Sequence, residues 1–385
     1  MKYIYIPILL IICLACNTSN NTSIKELSIN NSFDDSNITL SKIASSSEII
    51  PLETNDSILI GEIKKILCEN NYIYISDGRT LFKFNDKGYF ISKINKIGTG
   101  PDEYTSITDF QICSNDKVWI LSRKDKRLCN YSWNGILENE IKLNFWISNI
   151  CLLTNNTMLL YTGNETDGDN NFQLKMLNLS TKNIAKNYIR INNSKSKYLF
   201  VKSTNHFNYN SNSKSGFFFD IFNDTIYQIS SDIIKSKYYV NINKKNIPSD
   251  FFDKEYDNVM IFFQTLFKSD YAYGTVLFGE TNNNFIFSYY YKKLCHLSLI
   301  SKNNNNINDF TNINDDVNLM GYPITLTSRP LFIQDNNKLI IPVQSADIVD
   351  YAEKKLKYND VNIIKQSIKY TNDDQNPILL FLKLK

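Results

Sequence analysis

Two segments of this chain repeat one another at an offset of about 45–47 residues. Ile73-Tyr74-Ile75-Ser76-Asp77, then Leu81-Phe82-Lys83-Phe84-Asn85-Asp86-Lys87-Gly88-Tyr89-Phe90, is matched by Val118-Trp119-Ile120-Leu121-Ser122, then Arg127-Leu128-Cys129-Asn130-Tyr131-Ser132-Trp133-Asn134-Gly135-Ile136-Leu137. Each copy reads as strand, short turn, strand, Gly-containing turn, strand. The repeat length is that of a four-stranded propeller blade, a unit that buries its apolar faces only against neighbouring copies. A single core usually stops growing at about 250–300 residues, so a chain of 385 residues also favours repeats.

Composition agrees with a strand-rich body. There are 24 Tyr and 24 Phe against 12 Gly and 8 Pro, and flat or branched side chains pack well on a pleated surface. The net charge of +3 gives no support for nucleic acid or an anionic surface as partner. Asn is abundant throughout, as in Asn282–Asn284 and Asn303–Asn306, which fits an AT-rich coding bias; those in turns suit left-handed backbone.

The N-terminus carries an address. Lys2 precedes an apolar run, Ile4–Leu14, which is signal-peptide length and short of the ~20 residues of a spanning helix. Cys13-Leu14-Ala15-Cys16 resembles the lipobox of bacterial lipoproteins, with Cys13 standing where Leu is usual. This predicts a signal peptide over 1–15, lipidation at Cys16, a flexible tether over 16–47 and a propeller over 48–385. No Asp follows Cys16 and no acidic cluster marks surface export, so the outer membrane is expected, its periplasmic face slightly favoured. The remaining Cys68, Cys113, Cys129, Cys151 and Cys295 are odd in number, and read as buried thiols with a Cys113–Cys129 bridge left open.

Strand-like runs continue almost to the end, with further blades centred on Ile150–Ile191, Leu199–Ile242, Ile261–Ile300 and, last, on Leu331-Phe332-Ile333 with Leu339-Ile340-Ile341. Residues 346–358 and 361–368 have helical spacing instead and predict a small insertion in the last blade. Ile49–Leu52 and Ile378–Leu382 are placed to share that blade and tie the ring shut.

Ile97-Gly98-Thr99-Gly100-Pro101-Asp102-Glu103-Tyr104, followed by Phe110-Gln111-Ile112, is similar to the connection between NHL-type blades. With Ile50-Pro51-Leu52-Glu53-Thr54 and Asn376-Pro377-Ile378-Leu379-Leu380, it resembles the six-bladed β-propeller lipoproteins of Bacteroidota. The resemblance implies an all-β fold of six four-stranded blades. It makes Gly98, Gly100 and Pro101 a structural turn, with positive φ expected at both glycines. It also places Asp102, Glu103 and Tyr104 near the propeller mouth, where they either cap the turn or touch ligand.

Arginine is scarce, so Arg79, Arg123 and Arg329 join the candidate ligand-binding residues; the competing reading pairs the first two with Asp77 or Asp125. Catalysis has little to draw on. His206 and His296 are far apart, no metal-spaced His pair or G-x-S-x-G elbow occurs, and Asp167-Gly168-Asp169 lacks the Gly and Glu of a calcium loop. No catalytic residue, metal or cofactor is assigned. The expected function is a membrane-tethered, monomeric binding module for a glycan, peptide or envelope protein, with no nucleic acid. A carbohydrate hydrolase or lyase and a structural assembly factor are the alternatives.

Overall fold

A computed structural model describes residues 24–385 apart from 31–32, 34, 114–115, 167–170, 199–204, 232 and 368–373. Cys16 and the leader, and Asp167–Asn170, therefore lie outside the described residues. No helix among the described residues is long and apolar enough to cross a membrane.

The repeat that opened the chain is a pair of four-stranded antiparallel sheets. The first holds Lys65–Glu69, Tyr72–Ser76, Leu81–Asn85 and Phe90–Ile94; the second holds Asp109–Ile112, Lys117–Ser122, Arg127–Ser132 and Leu137–Lys142. Middle strands are buried on both faces by the flanking sheets, so Ile73-Tyr74-Ile75 and Val118-Trp119-Ile120 read as continuous apolar runs. Outer strands face solvent on one side and alternate instead, as in Phe90-Ile91-Ser92-Lys93-Ile94. A third sheet covers 149–190, a fourth 207–241 and a fifth 272–310. The first strands of the sheets line the axis: Asp109–Ile112 lies beside Asn149–Thr154, followed by Phe207–Asn210, Ala272–Glu280, Phe332–Gln334 and Lys65–Glu69.

The closing sheet is made from both ends of the chain. Phe332–Gln334, Lys338–Val343 and Ile378–Leu384 are completed by Ala44–Pro51, with Leu379 opposite Ile50 and Leu380 opposite Ile49. The side chain of buried Asn376 reinforces the seam, donating to the carbonyls of Glu53 (2.8 Å) and Ile58 (2.7 Å) and accepting from the amide of Ile60 (2.8 Å).

The expectation of six blades is corrected here: the described residues form seven sheets. The additional blade is three-stranded, pairing Asn312–Asp315 with Tyr322–Thr325 and, in parallel, with Asn37–Thr39. Its Ile38, Ile313 and Ile324 share one core with Leu297 of the fifth sheet and Leu339 and Leu380 of the closing sheet. Two physical reasons hid it. Strands of three or four residues are too short to show alternation, and one of them comes from 275 positions upstream, where Ser36 meets Thr311. The stretch read as tether accordingly contains a further strand, Lys25–Ser28, added in parallel to Ile234–Asn241 of the fourth sheet.

Helices are few and small. Ser345–Lys355 and Tyr358–Ser367 sit between two strands of the closing sheet and bury Ile348, Ala352 and Ile364 against the small sheet's core. Ser249–Asp253 and Val259–Lys268 precede the fifth sheet. Their aromatics, Phe251, Phe252 and Phe262, pack with Tyr198 and Phe222, and the second helix occupies the beginning of the segment expected as a blade over Ile261–Ile300.

The two matched Gly turns separate on energetic grounds. Gly88 (φ +82°) and Gly135 (φ +78°) both occupy left-handed backbone, and each donates its amide to the residue three before it. A Cβ on Gly88 would lie 2.0 Å from the Pro51 carbonyl oxygen, whereas on Gly135 it would meet the mobile end of Lys96 at 3.0 Å. Gly88→Ala is expected to cost about 2–3 kcal/mol and Gly135→Ala about 1–2 kcal/mol in urea melts. Equal losses would show that the close approach to the closing sheet carries no weight.

Candidate functional site

The Gly98–Tyr104 turn joins the last strand of the first sheet to the first strand of the second. Neither Gly98 nor Gly100 has positive φ, which corrects the reason given for them above. Their lack of a side chain matters because the Glu103 carboxylate folds back over both: a Cβ on Gly98 would sit 1.9 Å from Oε2. That oxygen accepts from the Gly100 amide at 2.8 Å. Arg127 donates to the Glu103 carbonyl, and the Tyr131 hydroxyl to the carbonyl of exposed Asp102 at 3.0 Å. Tyr104 is fully buried, edge-on to Tyr131, and its hydroxyl donates to the carbonyls of Arg79 and Ile94 at 3.2 Å. Burial pushes that phenol well above its ordinary range.

Tyr104 and Arg79 are thus brought together through main chain, with the Arg79 side chain left exposed. The other two arginines sit elsewhere. Arg123 pairs with Glu165, donates to Ile147 O (3.1 Å) and lies over Trp146, joining the second and third sheets. Arg329 reaches Tyr322 Oη (2.7 Å) and Asp347 (2.9 Å), tying the small sheet to a helix. Asp77 and Asp125 cap turns: Asp77 accepts from the amides of Arg79 and Thr80, and Asp125 accepts from Thr105 and Ser122.

Of three buried polar knots, two join neighbouring sheets and the third lies within the fifth sheet. Lys65 and Asp109 open the first strands of their sheets and pair at 2.5 Å, while Asp109 also accepts from Ile150 N (2.8 Å) and Asn149 Nδ2 (3.2 Å) of the third. Asp220 accepts from Tyr161 Oη at 2.6 Å and from Gln173 at 3.3 Å. Beside it, His206 contacts the Phe219 carbonyl through Nδ1 (2.9 Å), and burial lowers its basicity. His296 is fully buried; Nδ1 meets Asp309 at 2.7 Å and the ring stacks on Tyr289. Ser298 donates to Asp309 and not to the imidazole, so the trio lacks the serine-to-base link of a hydrolase triad.

The opposite end of the ring, where the first strands finish, opens into a cavity of about 620 Å³. Ile66, Cys151, Phe207 and Ile333 line its wall, and the rim is polar: Glu69, Asn155, Asn210, Ser211, Gln334 and Asp335. Asn70 and Asn71, and Asp335 and Asn336, have positive φ at both central turn positions, the geometry of a tight hairpin that Asn and Asp tolerate best. Asn210 Nδ2 donates to Asp335 Oδ1 (2.8 Å), Ser211 reaches Glu69 at 3.5 Å, and Gln334 Nε2 donates to Cys68 O at 2.9 Å. Burial holds the half-buried Glu69 carboxyl above its ordinary range. None of the five described cysteines is in a disulfide, and burial pushes Cys68 up to about 12 and Cys113 to about 11.

None of these rim residues was singled out as a site in the sequence. The signal was present in the polar pair after the first strand of several sheets, as in Asn70-Asn71, Asn155-Asn156 and Asn336-Asn337. It reads equally well as turn chemistry, and only the ring geometry gathers those tips around one opening.

The fold has solved counterparts. A protein of Bacteroides fragilis, described as a candidate exported protein, superposes with a TM-score of 0.75 at 20% identity, over 94% of this chain and 100% of that one. A DUF4221 family member from Bacteroides vulgatus gives 0.51 at 12% identity, over 89% and 97%. At such identities the likeness is one of fold. No curated protein matches the chain. The sequence profile described as a domain of unknown function, DUF4934, matches residues 24–383, and the chain belongs to that family.

Proposed function

We propose that this protein is an outer-membrane lipoprotein whose propeller binds a ligand at the open end of its central cavity. The observation that carries the reading is the contrast between the two ends of the ring. One end is occupied by the Lys65–Asp109–Asn149 knot, and the other opens into about 620 Å³ of space with a rim of amides, hydroxyls and two carboxylates. A concave, mixed apolar and polar pocket of that size is suited to one small molecule or a few residues of a polymer. Both imidazoles sit away from the rim, inside the sheets, which favours binding over hydrolysis or elimination. The lipobox-like Cys16 and the exported relative in Bacteroides fragilis support the envelope address.

The test is a glycan and peptide array probed with the full-length protein and with two variants. Gln334→Ala, at the rim, should lose binding by about tenfold, the value of one well-placed polar contact. Asp102→Ala, on the far turn, should bind as the parent does. Binding that ignores Gln334 and follows Asp102 would move the site to the opposite end of the ring.

A further inference from the structure

The helix Val259–Lys268 is apolar around most of its circumference, although it lies at the surface. Seven of its ten residues are Val, Met, Ile, Leu or Phe, yet only Phe262 and Leu266 are buried. A surface helix ordinarily turns a polar face to water. Here the first turn, Val259, Met260 and Ile261, is 47%, 66% and 37% exposed, and no other three consecutive large apolar side chains are exposed among the described residues. That turn is firmly built. The Asn258 side chain accepts from the Ile261 amide (3.0 Å), and Tyr198 stacks on Phe262 with ring centres 3.9 Å apart. Bare apolar side chains on a fixed helix start mark a contact surface. The path of the chain says what it meets. Lys25–Ser28 pairs with Ile234–Asn241, the Ile29 amide donates to the Asn241 carbonyl (2.8 Å), and the chain runs on from there through Ser249–Asp253 into this helix. Cys16 stands nine residues before Lys25, a reach of at most about 30 Å. A lipid on Cys16 thus keeps the fourth sheet, and the helix that follows it, close to a bilayer.

We propose that Val259, Met260 and Ile261 dip into the surface of the bilayer that holds the Cys16 anchor, as a second contact that orients the ring. The inference rests on the lipoprotein reading. Asp253, Glu255 and Asp257 precede the tip and Lys254 and Lys268 lie on either side of it, all exposed. With both signs present, the attraction comes from apolar insertion and not from anionic lipid, and the charges hold the contact at headgroup depth. The geometry also sets which way the cavity faces. The helix packs on the Ile221–Phe222 turn and ends four residues before Ala272, where the first strand of the fifth sheet begins. That is the end of the ring opposite the cavity, so a seated tip points the open cavity away from the bilayer.

The test is depth-dependent fluorescence quenching of the mature protein bound by its anchor to preformed phosphatidylcholine vesicles. One tryptophan is added at the tip, Met260→Trp, or at the exposed cavity rim, Asn212→Trp, and read against the parent's three native tryptophans. Circular dichroism should show both variants folded as the parent is. Lipid brominated high on the acyl chain should remove about half or more of the added emission in Met260→Trp and leave Asn212→Trp unchanged. Mass spectrometry at Cys16 reads the anchor separately. A mature protein without lipid there overturns the anchor and this proposal with it. A lipidated protein in which Met260→Trp escapes quenching, or in which Asn212→Trp is quenched equally or more, overturns this proposal and leaves the anchor standing. Emission of an unquenched Met260→Trp that shifts to the blue as protein concentration rises would also overturn it, and would give the tip to a second copy of the chain.

Discussion

Deletion of residues 376–385 should leave a chain with no cooperative unfolding transition. Ile378, Leu379, Leu380 and Leu382 are completely enclosed and Phe381 is 3% exposed. They form the third of four strands in the closing sheet, so their loss also strands Ala44–Pro51 without a partner. Each large-to-small change at such a site typically costs about 2–5 kcal/mol, and five together, about 10–25 kcal/mol, match or exceed the ~5–15 kcal/mol that a domain usually has. Leu380→Ala alone gives the graded version, a loss of about 2–5 kcal/mol in denaturant melts. Supplying residues 376–385 as a peptide should restore part of the native signal, because strand addition to an open edge is a general binding mode. A truncated protein that melts like the parent would show that the ring does not depend on this strand.

Asp109→Ala should cost about 3–5 kcal/mol, because it leaves the Lys65 ammonium enclosed with its counter-charge gone. Lys65 is only 5% exposed and Asp109 1%, and the aspartate also holds the amide of Ile150 and the side chain of Asn149. The double variant Lys65→Met/Asp109→Leu removes both charges, and should be more stable than Asp109→Ala despite carrying two changes. What it still loses is the bonds to the third sheet, about 1–3 kcal/mol for an amide left unsatisfied. Chemical denaturation of Lys65→Met, Asp109→Leu and their double variant completes the cycle. A double variant as unstable as the sum of its parts would mean that the pair is not coupled.

The sequence showed some levels of this structure and concealed others. The matched segments at 73–90 and 118–137 were legible because blade interiors demand continuous apolar strands and glycine at one turn position. The shared closing sheet was legible because Ile378–Leu382 is too apolar to be a free end. The small seventh sheet was hidden because its pairing is set by contacts 275 positions apart, such as Ser36 with Thr311, and sequence windows do not see them. The glycines of the Gly98–Tyr104 turn were recognised, but for the wrong reason: what they make room for is a carboxylate and not a left-handed backbone. The cavity rim was the hardest to see. Glu69, Asn210, Gln334 and Asp335 come from three different sheets, and each taken alone is an ordinary turn residue.

The N-terminal strands also dictate when this protein can become itself. Lys25–Ser28 waits for Ile234–Asn241, Asn37–Thr39 waits for Asn312–Asp315, and Ala44–Pro51 waits for Ile378–Leu384. Ser45 bonds to Lys383 across 338 positions. Each of these early segments therefore remains without its partner until a strand far later in the chain is made, and pairings of such long sequence separation form slowly. The middle blades can assemble during synthesis, but the ring stays open, with exposed strand edges, until Ile378–Leu384 is made. An order of events of this kind keeps the polypeptide threadable up to that strand, and makes its emergence the step that commits the fold to its final shape.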